Sequence, residues 1–504
     1  MKFLKINEKD NVAVALTKLL PGEALNTETI PMGHKFALTD IPKGAPVIKY
    51  GYPIGTASRA ILKGAHVHTE NLRTALSGTL EYEYRPETGS EESEKGDESR
   101  REGASAPAGS FSGFKRADGR AGIRNDIWIL PTVGCVNRTA ELIRDLAIRT
   151  LGEAYDPEGE VRILSFRHPY GCSQTGEDQE NFRKAIAALA AHPNAGGVLL
   201  LGLGCENSNL KVLQPYLEES GAAASGRLLS LNAQDCKDET EEGAALVTAL
   251  FRRAVKEERQ EIPLSKLVVG LKCGGSDGLS GITANPLIGA VSDRLIESGA
   301  SCILTEVPEM FGAETILMNR AASREVFDKT VALINGFKEY FIRHDQPVYE
   351  NPSPGNKEGG ISTLEDKSLG CTEKAGHACV SDVLHYSETL KTRGLNLLEA
   401  PGNDLVSSTA LVLSSAQLIL FSTGRGTPFG AAVPTLKIAT NTALFEKKGH
   451  WMDFDAGRIL SGEEKEALAE ELFLLILRTA SGEKAKTESA GYQEIAVWKT
   501  GVTV

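Results

Sequence analysis

From near residue 125 onward, short apolar runs alternate repeatedly with helical segments, and few folds accommodate this pattern. Residues 127–133, 161–166, 197–203, 267–271 and 300–305 are rich in Val, Ile and Leu. Such runs are typical of strands that are buried on both faces of a sheet. Strands that alternate with helices predict a mostly parallel α/β sheet, with ligands at the carboxyl ends of its strands.

The helical segments carry start and end signals. Asn285 can cap a helix, and Pro286 suits its first turn. Five apolar side chains then share one helix face, namely Leu287, Ile288, Val291, Leu295 and Ile296. Further along, Ser461 with Glu464 predicts a capping box that opens another helix, and Gly482 predicts its end.

Composition divides the chain into four parts. Residues 1–80 form a small β-rich domain and residues 81–112 a flexible linker. Residues 113–380 form an α/β catalytic domain, and residues 381–504 form a C-terminal α/β domain. In the first, glycine recurs too often for a long helix, and strand patterns occur at 12–16 and 46–55. The linker is acidic, rich in Ser and Gly, and has little to bury. A buried strand at 418–421 makes the last segment either a third unit or a continuation of the second sheet.

The composition is that of a soluble globular protein, with 41% hydrophobic and 24% charged residues. The net charge of -12 argues against a nucleic-acid surface, which needs clustered Lys and Arg. A small anionic substrate is compatible with it, since a cationic pocket can lie inside an acidic protein. No apolar run is long enough for a membrane span or a signal peptide, so we expect a cytoplasmic protein, and a homo-oligomer is compatible with the sequence.

Eight cysteines lack the spacing of a disulfide scaffold and are expected to be reduced thiols or metal ligands. Four of them, Cys135, Cys172, Cys205 and Cys273, each lie shortly after a predicted buried strand. A parallel sheet would place them along one rim, where thiolates could converge on iron. The alternative is that they pack as small apolar side chains in the core. The other four cysteines receive no role.

The first domain supplies three histidines, His34 in Gly-His-Lys, and His66 and His68 in Ala-His-Val-His. Strand positions separated by two point to the same side, so His66 and His68 could present two imidazoles to one ion or substrate. The alternative is that they are surface histidines without a role. His168 is a further candidate acid or base.

Two glycine-rich loops are candidate anion cradles. Residues 273–278 follow a strand and precede a helix, so their backbone amides could face a carboxylate. This loop lacks the Lys of a Walker motif and the spacing of a dinucleotide fingerprint, which excludes nucleotide binding. Residues 422–428 place Arg425 after a strand, and a guanidinium can hold a carboxylate through two hydrogen bonds. Residues 351–357 predict an irregular segment, which is either functional or a simple surface turn.

At these residues the chain resembles a known family of sugar-acid dehydratases, which includes altronate and galactarate dehydratases. The resemblance covers essentially the whole chain outside the linker. Seven segments carry it, namely Gly33-His34-Lys35, Tyr170-Gly171-Cys172, and residues 202–206, 273–278, 281–286, 351–357 and 423–428.

The resemblance implies an amino-terminal SAF-type domain, a larger α/β region and the dehydration of altronate to 2-keto-3-deoxygluconate. It also implies a requirement for Fe²⁺, with Mn²⁺ as a substitute. We expect metal ligands among His34, Cys172, Cys205 and Cys273, and proton transfer among His34, His66, His68 and His168. The expected substrate-binding residues are Ser276, Asp277, Asn285, Asn356, Lys357, Arg425 and Thr427.

Several alternatives stay open at this point. The substrate could be galactarate or another 2-hydroxy acid, although the His66-Val67-His68 sequence favours altronate. The iron could be a single ion held mainly by His34, or an iron–sulfur cluster on Cys172, Cys205 and Cys273. A non-enzymatic alternative is an iron–sulfur redox or sensor protein. Two loops that could hold an anion favour catalysis, because an electron carrier needs no such pocket.

Overall fold

The computed structural model describes residues 2–86 and 109–504, which form three regions in chain order. Residues 87–108, most of the predicted linker, lie outside the described residues. Within the described residues, every helix is too short or too polar to cross a lipid bilayer.

The described ends of the predicted linker are packed. The Tyr82 hydroxyl accepts a hydrogen bond from Lys338 at 2.9 Å, and the Tyr84 hydroxyl donates one to a backbone carbonyl at 3.1 Å. Regular structure resumes at Ser110. The predicted linker of residues 81–112 was therefore too long at both ends, because its tyrosines and its last residues have partners that the local composition does not reveal.

The N-terminal region consists of two antiparallel sheets, with strand orders β1-β2-β3-β6 and β4-β5-β7. The strands are β1 Phe3–Leu4, β2 Val12–Ala15, β3 Lys35–Ala37, β4 Pro46–Lys49, β5 Tyr52–Ala57, β6 His66–Val67 and β7 Leu72–Arg73. The strands predicted at 12–16 and 46–55 are confirmed. Tyr50 and Gly51 form the tight turn between β4 and β5, with φ angles of 59° and 80°.

The second region contains a four-stranded parallel sheet of order β11-β10-β12-β13 and a small antiparallel sheet of order β14-β8-β9. Its strands are β8 Ser110–Lys115, β9 Ala121–Gly122, β10 Asp126–Pro131, β11 Ile163–Ser165, β12 Ala195–Gly202, β13 Leu228–Asn232 and β14 Gln260–Pro263. Its helices are α1 Asn137–Leu151, α2 Gly176–Ala191, α3 Leu210–Glu219 and α4 Glu239–Ala254. The helices bury their apolar stripes against both faces of the parallel sheet, as expected for apolar strands.

The third region is built on a seven-stranded parallel sheet of order β17-β18-β16-β15-β19-β20-β21. Its strands are β15 Val268–Cys273, β16 Ser301–Leu304, β17 Val380–Leu384, β18 Leu395–Leu398, β19 Leu418–Thr423, β20 Thr435–Ala439 and β21 Phe454–Asp455. Its helices are α5 Ala284–Glu297, α6 Glu314–Met318, α7 Arg324–Arg343, α8 Pro354–Glu358, α9 Leu364–Thr372, α10 Asp404–Leu413, α11 Thr442–Lys447, α12 Lys465–Ala480 and α13 Lys486–Ser489.

This topology corrects the predicted division into residues 113–380 and 381–504. The boundary at residue 380 falls on edge strand β17, and strands β15 and β16 of one predicted domain lie between strands β18 and β19 of the other in a single sheet. The true division lies between β14 and β15, near residue 264. The sequence did not mark it because both sheets are built from the same kind of apolar strand.

Two predicted helix caps are also corrected. Helix α5 begins at Ala284, so Asn285 lies inside its first turn and its side chain bonds elsewhere. Helix α12 begins at Lys465 after Glu464, whose side chain makes no capping bond, and Ser461 ends the preceding 3-10 turn. The predicted end of α12 is confirmed, since the helix stops at Ala480, just before Gly482.

The N-terminal region packs directly on the third region. Its core of small and branched side chains, including Val12 and Ile54, is continuous with Ala313 and Leu369 of the third region. Leu279, in the loop after β15, packs with Val14 of β2 and with Leu16, which follows it. This contact places the loop that carries His34 beside the carboxyl end of β15.

Candidate functional site

The candidate site begins where backbone segments of the two regions cross at glycines. A side chain at Gly278 would place its Cβ 1.9 Å from the carbonyl oxygen of Gly33, and one at Gly360 would lie 2.4 Å from the same oxygen. The Gly278 amide donates to the carbonyl of Gly359 at 2.7 Å. Only glycine fits at positions 278 and 360, because any side chain there would collide with the Gly33 carbonyl. This close approach of the two backbones brings the residue after Gly33 to the rim of the seven-stranded sheet.

That residue, His34, lies in a cluster of three imidazoles. The ring centroids of His34, His66 and His68 are 5.0 to 5.5 Å apart in each pairing. The His34 Nδ1 and His66 Nε2 atoms are 3.0 Å apart. Pairing of β3 with β6 sets His66 opposite Phe36, and this register brings the two segments together.

Each imidazole uses one nitrogen for a supporting contact. The His34 Nε2 atom is 3.1 Å from the Glu358 carbonyl oxygen, and the His68 Nδ1 atom is 2.8 Å from Ser362 Oγ. The His66 Nδ1 atom is 3.5 Å from the Glu70 carboxylate. Burial lowers the pKa of all three histidines, that of His68 to about 3. Neutral rings with one supported nitrogen are suited to bind a metal or to accept a proton.

A buried ionic network lies directly beneath the histidines. The Lys35 ammonium donates to Ser362 Oγ at 2.6 Å and to Asp366 at 2.8 Å, and Lys49 donates to the other oxygen of Asp366 at 2.9 Å. Burial alone would raise the pKa of Asp366, but the two ammonium groups hold it well below its usual range. Ser362 links this network to His68.

Arg425 lies at the exposed mouth of the histidine cluster. Its Nη2 atom donates to the Glu358 carboxylate at 3.0 Å, while the carbonyl of the same Glu358 contacts His34. The Arg425 side chain is 48% exposed, so it can exchange this carboxylate for that of a ligand. The structure thus brings together four of the predicted site residues: His34, His66, His68 and Arg425.

The Asp277 carboxylate is occupied by hydrogen bonds from within the protein. Its carboxylate accepts bonds from the Leu279 amide, Ser280 Oγ and Thr440 Oγ1 at 2.9 to 3.1 Å. Burial raises its pKa. It therefore shapes the loop of residues 273–278. The neighbouring Ser276 hydroxyl is buried without a hydrogen-bond partner among the described residues, and it remains a candidate to contact a ligand.

The other predicted substrate residues have mixed surroundings. The Asn285 amide is fully engaged, donating to the Gly370 carbonyl and accepting from Ser422, both at 2.7 Å. Asn356 forms the capping box of α8 with Ser353 and donates to the Ser276 carbonyl. These two therefore hold structure, because their polar atoms are occupied. Lys357 and Thr427 are half-buried near the same rim. The segment 351–357 is partly helical, which corrects the prediction of an irregular segment.

Cys273 lies in a different setting from that expected. Its Sγ atom is 3.4 Å from Cys371 Sγ, and both sulfurs are within 3.1 Å of a Glu309 oxygen. The group is fully buried, and within the described residues it is the one set of three such ligands whose atoms lie within 4.8 Å of one another. Burial alone would raise the pKa of Glu309, but Lys367 and Lys374 lower it to about 2. Ammonium groups already balance the anionic charge here, which disfavours a further cation.

The remaining predicted ligands belong to the second region. Cys172 and Cys205 are exposed at the end of its four-stranded sheet, so they share no rim with Cys273 on the seven-stranded sheet. This corrects the prediction of a single rim. His168 is buried, with Nε2 2.7 Å from the Pro131 carbonyl and Nδ1 accepting from the Tyr170 amide at 3.2 Å. Both of its nitrogens are occupied, so it supports the fold and is not part of the histidine cluster.

Sequence reasoning missed several buried polar residues of the site, namely Lys35, Lys49, Ser362, Asp366, Glu309, Lys367 and Cys371. Lysines placed inside otherwise apolar strands are an unusual signal, since lysine is almost never fully buried unless it is paired. That signal was present at Lys49 in β4 and at Lys272 in β15. No comparable sequence signal identified the carboxylates that pair with buried lysines, Asp366 and Glu309.

Three family models cover nearly all of the described chain. Residues 1–75 match the altronate/galactarate dehydratase SAF domain. Residues 113–255 match the second domain of D-galactarate dehydratase/altronate hydrolase. Residues 264–503 match the C-terminal domain of D-galactarate/altronate dehydratase. These limits agree with the three regions of the structure.

Full-length relatives give the same result. The chain is 50% identical to altronate dehydratase of Bacillus subtilis (strain 168), covering 100% of this chain and 99% of the relative. It is 48% identical to altronate dehydratase of Escherichia coli (strain K12), covering 100% of both chains. Galactarate dehydratase (L-threo-forming) of Escherichia coli (strain K12) is 32% identical, over 96% of this chain and 93% of the relative.

Proposed function

The chain belongs to the altronate and galactarate dehydratase family of hydro-lyases, and we propose that it dehydrates altronate to 2-keto-3-deoxygluconate. The observation that carries this proposal is the grouping of three neutral imidazoles and one partly exposed guanidinium at the contact of the SAF domain with the C-terminal domain. The higher identity to altronate dehydratases than to galactarate dehydratase supports altronate as the substrate.

The reaction requires three tasks of the protein. The substrate carboxylate must be held, the weakly acidic proton must leave C2, and hydroxide must leave C3. Arg425 is placed for the first task, because it can give up Glu358 for the substrate carboxylate. His68 is placed for the second. When its Nδ1 atom donates to Ser362 Oγ, its Nε2 atom keeps the lone pair that takes the proton.

The expected ferrous ion fits His34 and His66 by donor chemistry. Their facing Nδ1 and Nε2 atoms are 3.0 Å apart, and their other nitrogens contact Glu358 and Glu70. Imidazole suits iron, and such outer contacts commonly orient metal-binding histidines. A bound Fe²⁺, or Mn²⁺ in its place, would act as a Lewis acid toward the substrate oxygens and the leaving hydroxide.

Galactarate is the second candidate substrate, and it is supported by the relative that is 32% identical. A hexarate carries a carboxylate at both ends, so it needs a second cationic contact. Lys357 is half-buried at the same rim and could supply it. We also propose that the enzyme works in the cytoplasm, where reduced thiols and ferrous iron persist, and that it acts on a free sugar acid.

The test is to load chelator-treated protein with Fe²⁺ under anaerobic conditions. Altronate, galactarate and gluconate are then added to separate samples of this protein, and the 2-keto acid formed in each is assayed. We expect turnover of altronate at least tenfold faster than of the other two acids. If galactarate is turned over faster than altronate, galactarate is the substrate. A complete lack of keto acid from every hexonate and hexarate, by folded and iron-loaded protein, would refute dehydration of sugar acids.

A further inference from the structure

The second region carries a cysteine arrangement that the proposed chemistry does not use. Its sheet is parallel, with β10 at the centre between β11 and β12, so the carboxyl ends of these strands meet at one edge. Each strand is followed by an exposed cysteine before the next helix begins. These are Cys135 after β10, Cys172 after β11 and Cys205 after β12.

A glycine precedes each of these cysteines and allows the three loops to pack against one another. A Cβ at Gly171 would lie 1.9 Å from the Thr132 carbonyl oxygen, and one at Gly134 would lie 2.9 Å from the His168 carbonyl oxygen. The Gly134 amide donates to the Tyr170 carbonyl at 2.9 Å. The loops after β10 and β11 are therefore in backbone contact.

The third loop is tied to the other two, although β11 and β12 are not neighbours in the sheet. The Cys172 thiol and the Ser173 amide both donate to the Asn207 side chain, at 3.2 and 3.0 Å. The buried Glu206 carboxylate accepts from the Gly204 amide and from the Thr132 hydroxyl at the end of β10. One rim thus holds three exposed thiols on mutually braced loops.

The surroundings suit thiolates that bind iron. Helix α1 begins just after Cys135, and within the described chain its first turn has neither a side-chain cap nor an acidic residue, so its amides favour negative charge nearby. The Gln234 amide points at Cys205 Sγ from 3.5 Å, and hydrogen bonds to sulfur tune such centres. By contrast, Cys236 after β13 is partly buried, and burial together with Glu242 raises its pKa to about 11.

The distances between the three sulfur atoms favour an iron–sulfur cluster over a single metal ion. The three sulfurs do not all lie within 4.8 Å of one another in this structure. Two thiolates on one ion are at most about 4.6 Å apart, since each metal–sulfur bond is about 2.3 Å. A cluster spans a wider gap, because each thiolate binds a different iron.

We propose that Cys135, Cys172 and Cys205 hold an iron–sulfur cluster through three thiolates, leaving one iron open to an oxygen ligand. Each thiol releases its proton to solvent as its sulfur binds iron. The site is separate from the histidine cluster, and it does not depend on which sugar acid is dehydrated. It replaces the predicted set of Cys172, Cys205 and Cys273, because Cys273 is buried on another sheet.

The test is anaerobic reconstitution of the full chain with ferrous iron and sulfide, followed by desalting and measurement of bound iron, acid-labile sulfide and the visible absorption spectrum. We expect brown wild-type protein with bound iron and sulfide. Cys135→Ser, Cys172→Ser and Cys205→Ser should each lose most of the bound sulfide. Cys379→Ser changes an exposed cysteine of the third region and should keep the wild-type content.

Circular dichroism and melting temperature show whether each variant is folded, and exposed Cys-to-Ser changes should leave both unaltered. Wild-type protein that binds no sulfide would overturn the proposal. So would full sulfide content in any one of the three folded Ser variants. Loss in Cys273→Ser together with retention in all three would move the cluster to the buried thiol pair.

Discussion

At the scale of single residues, the sequence Gly33-His34-Lys35 places two neighbouring side chains, His34 and Lys35, in different surroundings. His34 joins the histidine cluster, while Lys35 is 1% exposed and reaches Asp366 in the core. Neighbouring residues of an extended segment point to opposite sides, so one short segment both presents the imidazole and anchors it. The anchor matters because a buried ammonium is tolerated only with its partners in place.

The proton-transfer role predicts a specific kinetic change at His68. His68→Gln removes the group that takes the C2 proton but leaves His34 and His66 to bind metal. We expect kcat to fall by about 100- to 10,000-fold, as is usual for loss of a general base. The concentration of Fe²⁺ that gives half-maximal activity should stay within about threefold of the wild-type value, as a purely catalytic change implies.

The control is His344→Gln, which alters an exposed histidine at the end of α7 whose ring contacts Tyr340, and it should leave kcat unchanged. Wild-type kcat in a folded His68→Gln protein would assign the base to another residue. A large rise in the required Fe²⁺ concentration would instead make His68 a third metal ligand.

Arg425 is expected to act on substrate binding. A hydrogen bond to a charged group contributes about 1.5 to 3 kcal/mol, so Arg425→Gln should lower kcat/KM for altronate by roughly 10- to 150-fold. Most of the loss should appear in KM, because the carboxylate is held in both the bound substrate and the transition state. Steady-state kinetics on this variant and on Arg393→Gln, an exposed control, measure it. An unchanged KM would remove Arg425 from the site.

At the scale of elements, the glycine crossing controls how the SAF domain meets the larger region. Gly278→Ala puts a Cβ 1.9 Å from the Gly33 carbonyl oxygen, so one backbone segment must shift. We expect at least tenfold lower kcat/KM, because a shift of about 1 Å in a site can cost 100-fold in rate. Gly336→Ala, in α7 with no atom near its Cβ, is the matched control and should be neutral or slightly stabilising. Wild-type activity of Gly278→Ala would show that the crossing is not required.

The ion network of Lys35, Lys49 and Asp366 joins β3, β4 and α9. Asp366→Asn leaves two buried ammonium groups without their carboxylate, which should destabilise the protein by about 3–5 kcal/mol. Denaturant unfolding of this variant measures the loss. Asp328→Asn breaks an exposed pair with Arg324 and should change stability by less than about 1 kcal/mol. Equal stability of the two variants would contradict the assigned role of Asp366.

The local sequence pattern was sufficient to predict where the strands lie, but it was not sufficient to predict which strands join the same sheet. Apolar runs located β10, β12, β15, β16 and β19, because strands buried on both faces need such side chains. The sheet to which each strand belongs depends on long-range packing, and Cys273 was therefore grouped with the wrong cysteines. Its actual neighbour, Cys371, is 98 positions away on α9 and had no local signal.

At the scale of the whole molecule, the site is composite. The SAF domain contributes all three imidazoles, whereas the C-terminal domain contributes Arg425, Ser362 and the Glu358 carbonyl. His34, His66 and Arg425 could be found from sequence because their residue types carry chemistry in recognisable motifs. The supporting contacts come from the docking of two domains, which short-range sequence patterns do not record.

The measurement that tests the location of the reaction most directly is Mn²⁺ binding, followed by electron paramagnetic resonance on chelator-treated protein with and without altronate. We predict that wild type and His344→Ala bind Mn²⁺ equally and that altronate alters the spectrum of the bound ion. The His34→Ala/His66→Ala double variant should bind Mn²⁺ at least tenfold more weakly. Undiminished Mn²⁺ affinity with the same response to altronate in the folded double variant would contradict a metal site on these two histidines.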